Sequence, residues 1–110
     1  NRDIKKAIDL KNKIKAKSVS IQVEVCPEND YTLIDSDIII NATSLGLKKT
    51  DKLPFDVSKS SINSVIADII MQPEDTELLK QAKSLGRSIH YGKYMIESQI
   101  DLVGKFLKTW

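Results

Sequence analysis

The 110 residues suffice for one domain with a modest core, and their 41% apolar content is ordinary for a globular protein. With 17 basic and 15 acidic residues the net charge is +2 and dispersed, which excludes the strong field that draws nucleic acid or an anionic membrane. A single cysteine, Cys26, excludes an internal disulfide and suits a reducing cytoplasm, and no apolar run approaches the ~20 residues of a bilayer span.

From Ile4 to Ala16, Ile4, Ala7, Ile8 and Ile14 fall near helical spacing while lysines occupy the remaining surface, which predicts an amphipathic helix with a basic outer face. Ser18 to Val25 alternates Val19, Ile21, Val23 and Val25 with polar residues, a period of two that predicts a half-exposed edge strand ended by Pro27. Tyr31 to Ser36 is compatible with a short connecting helix. Asp37-Ile38-Ile39-Ile40-Asn41 then reads as a buried parallel strand. Thr43 to Asn63, with Gly46, Pro54 and several Ser and Lys residues, predicts a long loop crossing the end of a sheet.

A second buried strand is expected over Ser64 to Met71, stopped by Gln72-Pro73. Thr76 is placed to cap a helix carrying Leu78, Leu79, Ala82 and Leu85 on one side, with Gly86 as its left-handed terminator. Arg87 to Tyr91 forms a third short apolar stretch. Met95, Ile96, Ile100, Val103, Phe106 and Leu107 mark a last amphipathic helix over Lys93 to Lys108. Strands alternating with helices call for an α/β fold with a parallel sheet and right-handed crossovers.

Four segments occur in one order: Asn1-Arg2-Asp3-Ile4-Lys5-Lys6-Ala7, Ile40-Asn41-Ala42-Thr43-Ser44-Leu45-Gly46, Asp68-Ile69-Ile70-Met71-Gln72-Pro73 with Thr76, and Gly92-Lys93-Tyr94-Met95 with Gln99. Together they resemble the cofactor domain of shikimate and quinate dehydrogenases, whose patterns run N-R-T-x-x-[RK]-A, N-A-T-x-x-G, D-x-x-Y-x-P-x-x-T and G-x-x-M-x-x-Q. The resemblance extends over essentially the whole chain and implies a Rossmann-like parallel sheet with flanking helices. That fold opens with a strand, a Gly-rich turn and a helix N-terminus that takes the pyrophosphate. No G-x-G-x-x-G occurs in this sequence, and it begins without an initiator Met. Residues 1–110 are therefore expected to be the latter part of a dinucleotide-binding domain, with the first strands, the Gly-rich turn and an N-terminal substrate domain lying outside them.

The resemblance implies site residues position by position. Arg2 and Lys6 match the basic residues that hold the 2′-phosphate of NADP, and Asn1 would hydrogen-bond the same ribose edge. A guanidinium with an ammonium one helical turn away suits a phosphate, although the same residues also read as the solvated face of a helix. Asp3 replaces the family's Thr, and its carboxylate would repel phosphate or accept from a ribose hydroxyl, so NAD is the second cofactor. Thr43 and Ser44 lie where a strand meets a loop and become candidate cofactor contacts, or a turn whose hydroxyls serve the local backbone. Ile69 would touch the nicotinamide, Gly92 would let the backbone approach it, and Met95 would pack on the ring.

Met71 stands where the family has a Tyr bordering the substrate, and Gln99 matches the residue that reaches a substrate hydroxyl or carboxylate. The implied reaction is reversible hydride transfer between NADP(H) and a shikimate-like cyclic hydroxy acid, in the chorismate route to aromatic amino acids. The proton-transferring Lys and Asp of relatives belong to the substrate domain, so no catalytic residue and no metal ligand is assigned within this chain, and the chain alone is expected to be inactive. Asp68, in its apolar strand, and His90 are read as structural. A non-catalytic nucleotide-binding regulatory module is the alternative from another class. A methylene-bridged or amino-acid dehydrogenase is a third, and it would not be expected to reproduce G-x-x-M-x-x-Q.

Overall fold

A computed structural model describes residues 3–26 and 35–109. The chain divides into two compact units, Asn1–Thr32 and Leu33–Trp110.

The first unit is built on helix α1 (Ile4–Lys17). Asp3 caps it: the residue is extended, and its carboxylate accepts from the backbone N–H of Lys5 at 3.0 Å and of Lys6 at 3.3 Å. Lys15 and Lys17 in the last turn complement the negative end of the helix dipole. No residue of α1 is buried. The edge strand expected over Ser18 to Val25 does not form. A turn follows the helix, the chain then runs irregularly to Cys26, and Val19 is 93% exposed. Alternation assigns two faces to a segment, but a strand also needs a neighbour to take its N–H and C=O groups, and no described residue pairs with this one. Of the connecting helix expected over Tyr31 to Ser36, residues 31–34 lie outside the described residues, and Asp35 and Ser36 are not helical.

The second unit carries a three-stranded parallel sheet, β1 (Ile38–Asn41), β2 (Val65–Asp68) and β3 (Ser88–His90), in that spatial order. Register places Ile39 opposite Ile66 and Ile66 opposite Ile89, so these three share one face. Helix α2 (Glu77–Ser84) covers that face with Leu78, Leu79 and Ala82, all buried, and Val57 completes the core from the long loop. Burying Ile66, Leu78 and Leu79 in this way contributes roughly 1.5–3 kcal/mol each. The other face is different. Ile38 and Ile40 are 61% and 58% exposed, so β1 is buried on one side only, contrary to its uniformly apolar sequence. β2 is also shorter than its apolar run, because the ladder stops at Asp68 and Ile69 to Met71 continue as irregular chain.

The long loop holds a 3₁₀ turn (Val57–Lys59) capped by Asp56. Arg87 ties this turn to the end of α2 by donating to the Ser60 carbonyl at 2.7 Å, the Ser60 hydroxyl at 3.1 Å and the Leu85 carbonyl at 2.8 Å. Gly86, at φ +79°, supplies the left-handed residue after α2. Helix α3 (Lys93–Phe106) ends the described chain, and only Gly104 within it is buried.

Thr76 starts α2 by accepting from the Leu79 N–H at 3.3 Å while its hydroxyl donates to buried Asp68 at 2.9 Å. Thr76→Val removes both contacts, and the expected loss is about 2–4 kcal/mol of unfolding free energy, from a lost cap and an under-satisfied carboxylate. Thr76→Ser keeps the oxygen and should lose well under half of that in denaturant titrations. A loss in Thr76→Ser that exceeds that in Thr76→Val would show that the methyl, which Val keeps and Ser lacks, outweighs the hydroxyl contacts.

Candidate functional site

Adjacent parallel strands bring two polar residues side by side at their carboxyl ends, because Asn41 of β1 is in register with Asp68 of β2. Both are 2% exposed, and burying such groups is tolerable only with partners. The Asn41 side chain donates to the Leu45 carbonyl at 2.9 Å and to Asp68 at 3.3 Å. Its oxygen accepts from the Thr43 N–H at 3.1 Å and the Thr43 hydroxyl at 2.6 Å. The Thr43 hydroxyl in turn accepts from the Leu45 N–H at 3.2 Å. One amide thus folds Ala42–Leu45 over the strand end. Asp68 accepts from the Ile70 N–H at 3.0 Å on one oxygen and from Thr76 on the other, which turns the chain out of β2.

Between the two turns lies a cleft of about 500 Å³. Ala42, Thr43, Ser44 and Leu47 form one wall and Ile69, Ile70, Met71 and Gln72 the other, so the lining is mostly apolar. The first wall is shaped further by Asp51, whose carboxylate accepts from the N–H groups of Gly46 at 3.0 Å and Lys48 at 3.1 Å. These bonds, that of Lys48 first, hold its carboxyl below the usual value of 3.8.

The second wall is braced from behind by the start of α3. A Cβ built on Gly92 would lie 2.5 Å from the Ile70 carbonyl oxygen and 2.6 Å from the Ile69 carbonyl carbon. Glycine is therefore required here by the chain's own packing. The next residue, Lys93, pairs with Glu74 at 2.6 Å, and Lys83 pairs with Asp75 at 2.9 Å. Tyr91 first, and Asp75 after it, push the Lys83 ammonium up to about 12, and Glu74 raises that of Lys93.

Of the residues singled out in the sequence, Thr43, Ser44, Ile69 and Met71 line this one cleft, and Gly92 abuts its wall. Met95 and Gln99 are exposed on α3 and are not among the lining residues. Gln99 belongs to a separate groove of about 390 Å³ with Ile96, Ile100, Val103 and Leu107. Asn1 and Arg2 lie outside the described residues, and Lys6 is an exposed residue of the first unit. Asp3 does something the sequence reading overlooked, capping α1, although an Asp directly before an apolar-periodic run is itself a cap signal. The pairing of Glu74 with Lys93 was also missed, and no local pattern announces it.

No family model matches the sequence. The chain is 44% identical over 62 residues to the shikimate dehydrogenase (NADP+) of Pelagibacter ubique, covering 56% of this chain and 23% of that protein. It is 31% identical over 99 residues to that of Nitrosopumilus maritimus, covering 90% of this chain and 36% of the relative. Among solved structures, 5-ketofructose reductase of Gluconobacter sp. strain CHM43 in its ligand-free form matches with a TM-score of 0.63 at 33% identity, over 84% of this chain and 34% of that one. Quinate dehydrogenase from Corynebacterium glutamicum, in complex with NAD, matches with a TM-score of 0.52 at 34% identity, over 56% and 22%. Parallel strands, a covering helix and these neighbours define a Rossmann-like α/β unit of the dehydrogenase type. These likenesses support a shikimate/quinate dehydrogenase family fragment, and the chain spans between about a fifth and two fifths of the length of the proteins it matches.

As Asp51 has a folded-state pKa below its ordinary value, the restraint it gives Gly46 and Lys48 is fully present above pH 3.8 and is lost as the pH falls through the lower folded value. In a pH titration followed by amide chemical shifts, Gly46 and Lys48 should move together with a midpoint below 3.8. Asp51→Asn should abolish the step. A step that survives in that variant would assign the titration to another carboxylate.

Proposed function

We propose that this chain is the latter part of the dinucleotide-binding domain of a shikimate or quinate dehydrogenase, binding NADP(H), with NAD(H) as the second choice. The observation that carries the reading is the cleft at the carboxyl ends of β1 and β2, the place where open parallel α/β sheets receive ligands. Its apolar walls and its size suit an aromatic ring with an attached ribose, so the residues present fit the nicotinamide half of the cofactor. When bound, the nicotinamide supplies the hydride-transfer chemistry.

In this reading Ile69 and Met71 give the ring an apolar surface, and Ser44 offers a hydroxyl at the rim. Thr43 acts through its hydrogen bonds to Asn41, which fix the loop that Ser44 belongs to. Gly92 keeps the Ile69–Ile70 backbone in place from behind. Arg2 and Lys6 are assigned to the 2′-phosphate, Asn1 to the ribose, Met95 to the nicotinamide, and Gln99 to the substrate, a cyclic hydroxy acid. These assignments rest on the family resemblance of their segments. The acid and base of the reaction are placed in a substrate domain outside these residues, so the chain by itself is expected to turn over neither shikimate nor quinate.

The reading is tested by titrating the 110-residue chain with NADPH and following backbone amides. Saturable shifts should concentrate on Thr43, Ser44, Ile69 and Met71. Shifts scattered over the surface, or none at millimolar ligand, would remove the assignment of the cleft. Arg2→Ala should then weaken NADPH by about ten- to a hundredfold, the weight of a charge-assisted contact, and NADH far less. Equal losses for the two cofactors would place Arg2 away from the 2′-phosphate.

A further inference from the structure

The segment that leaves the cleft, Met71–Thr76, is held by charges that the cleft itself does not use. Glu74 is gripped by Lys93 from the first turn of α3, and its neighbour Asp75 by Lys83 from the last turn of α2. Both ammonium groups also sit over the Tyr91 ring, Lys83 at 5.2 Å and Lys93 at 5.8 Å from its centroid, and Lys93 lies 5.3 Å from that of Tyr94. The four charged side chains are each about half exposed, and an isolated pair of that kind stabilises little. Here two adjacent carboxylates of one loop meet two cations from two helices around a shared ring, which is a network with cation–π support.

Its position gives it consequence. Gly92 and Lys93 are consecutive, the first packed on the Ile69–Ile70 backbone and the second paired with Glu74. The cleft wall is thus fixed at both of its ends by one turn of α3, with Met71 and Gln72 between the two points.

We propose that Lys93 is a positioning residue for the cleft: by gripping Glu74 while Gly92 abuts Ile69 and Ile70, it holds Met71 and Gln72 in the form that receives a nicotinamide nucleotide. The ligand in this statement rests on the dinucleotide-binding reading above, whereas the brace rests on the contacts. Lys93 is not among the residues that line the cleft. Its effect passes through the order of the wall.

The test compares the 110-residue chain with Lys93→Met, which keeps the aliphatic stem, and Lys93→Arg, which keeps the charge. Hydrogen exchange of the Ile70, Met71, Gln72 and Glu74 amides should quicken about three- to tenfold in Lys93→Met, as expected for local opening when an exposed network is cut. The NADPH dissociation constant should rise by a similar factor, the melting temperature should hold, and Lys93→Arg should restore both rates and affinity. Salt at about 0.5 M should quicken the same amides in the unmodified chain and not in Lys93→Met, because screening removes what the substitution has already removed. Unchanged exchange at these amides, or acceleration spread evenly over β2 and α2, overturns the brace. Faster exchange with unchanged NADPH affinity overturns the positioning role. If the unmodified chain shows no saturable NADPH binding, the dinucleotide reading fails and the positioning role with it, and the exchange response then identifies the brace as structural alone.

Discussion

A carboxylate buried at the end of the central strand is the constraint around which this unit is organised. Removing Asp68 from water is costly unless each oxygen is given donors, and the donors come from three different segments: Asn41 at the end of β1, the Ile70 N–H just beyond β2, and Thr76 at the start of α2. Satisfying one residue therefore fixes the registration of two strand ends, the exit of the chain from β2, and the entry of the helix that covers the sheet. Thr76 is the shared element, since the oxygen that donates to Asp68 also caps α2. The cleft is the space these constraints leave at the strand ends, so its shape follows from the folding of the core.

The sheet is covered unevenly. Ile39, Ile66 and Ile89 face α2 and the core, whereas Ile38 and Ile40 present their side chains on the opposite face. α3 has an apolar stripe, with Ile96, Ile100 and Val103 each nearly half exposed. Parallel sheets of the Rossmann type carry helices on both faces, and exposed apolar surface of this extent is a general mark of contact with further protein. The relatives are much longer than this chain.

Elements whose signals are local were legible in the sequence. Thr76, the Leu78, Leu79 and Ala82 spacing, and Gly86 together specified α2 with its cap and terminator, because each acts within one or two turns. The apolar runs of β1 and β2 were equally clear, but not their limits, since the ladder ends where Asp68 turns to Ile70 and Thr76 and not where hydrophobicity ends. The alternation of Val19 to Val25 was a sound pattern without a partner, and pairing is a property that no single segment encodes. At the cleft, Thr43 and Ser44 could be picked out because they follow a strand end, whereas Ile69 and Met71, expected within the second strand, were picked out only by the family resemblance of their segment. That Gly92 serves Ile69 and Ile70, and that Lys93 seeks Glu74, depends on residues distant along the chain being brought together, which only the fold supplies.

The two walls of the cleft are held in physically different ways, and this bears on how a ligand would be received. The Ile69–Gln72 wall is anchored at its Ile69–Ile70 end through buried Asp68 and through Gly92 packed against backbone, contacts that cannot be exchanged for water without opening the core. The Ala42–Leu47 wall hangs from Asn41 at its root, but beyond it depends on Thr43 and Asp51, which are solvent-accessible and bond mainly to nearby backbone. Water can compete for these bonds, so local opening costs less there than on the opposite side. The stiffer wall carries Ile69 and Met71, apolar side chains suited to a flat ring, and the softer one carries the exposed hydroxyl of Ser44. Met71 has no hydroxyl, so its share of this wall is apolar. Such a cleft places rigidity where shape complementarity to a ring matters, and leaves adaptability where polar groups must find their partners.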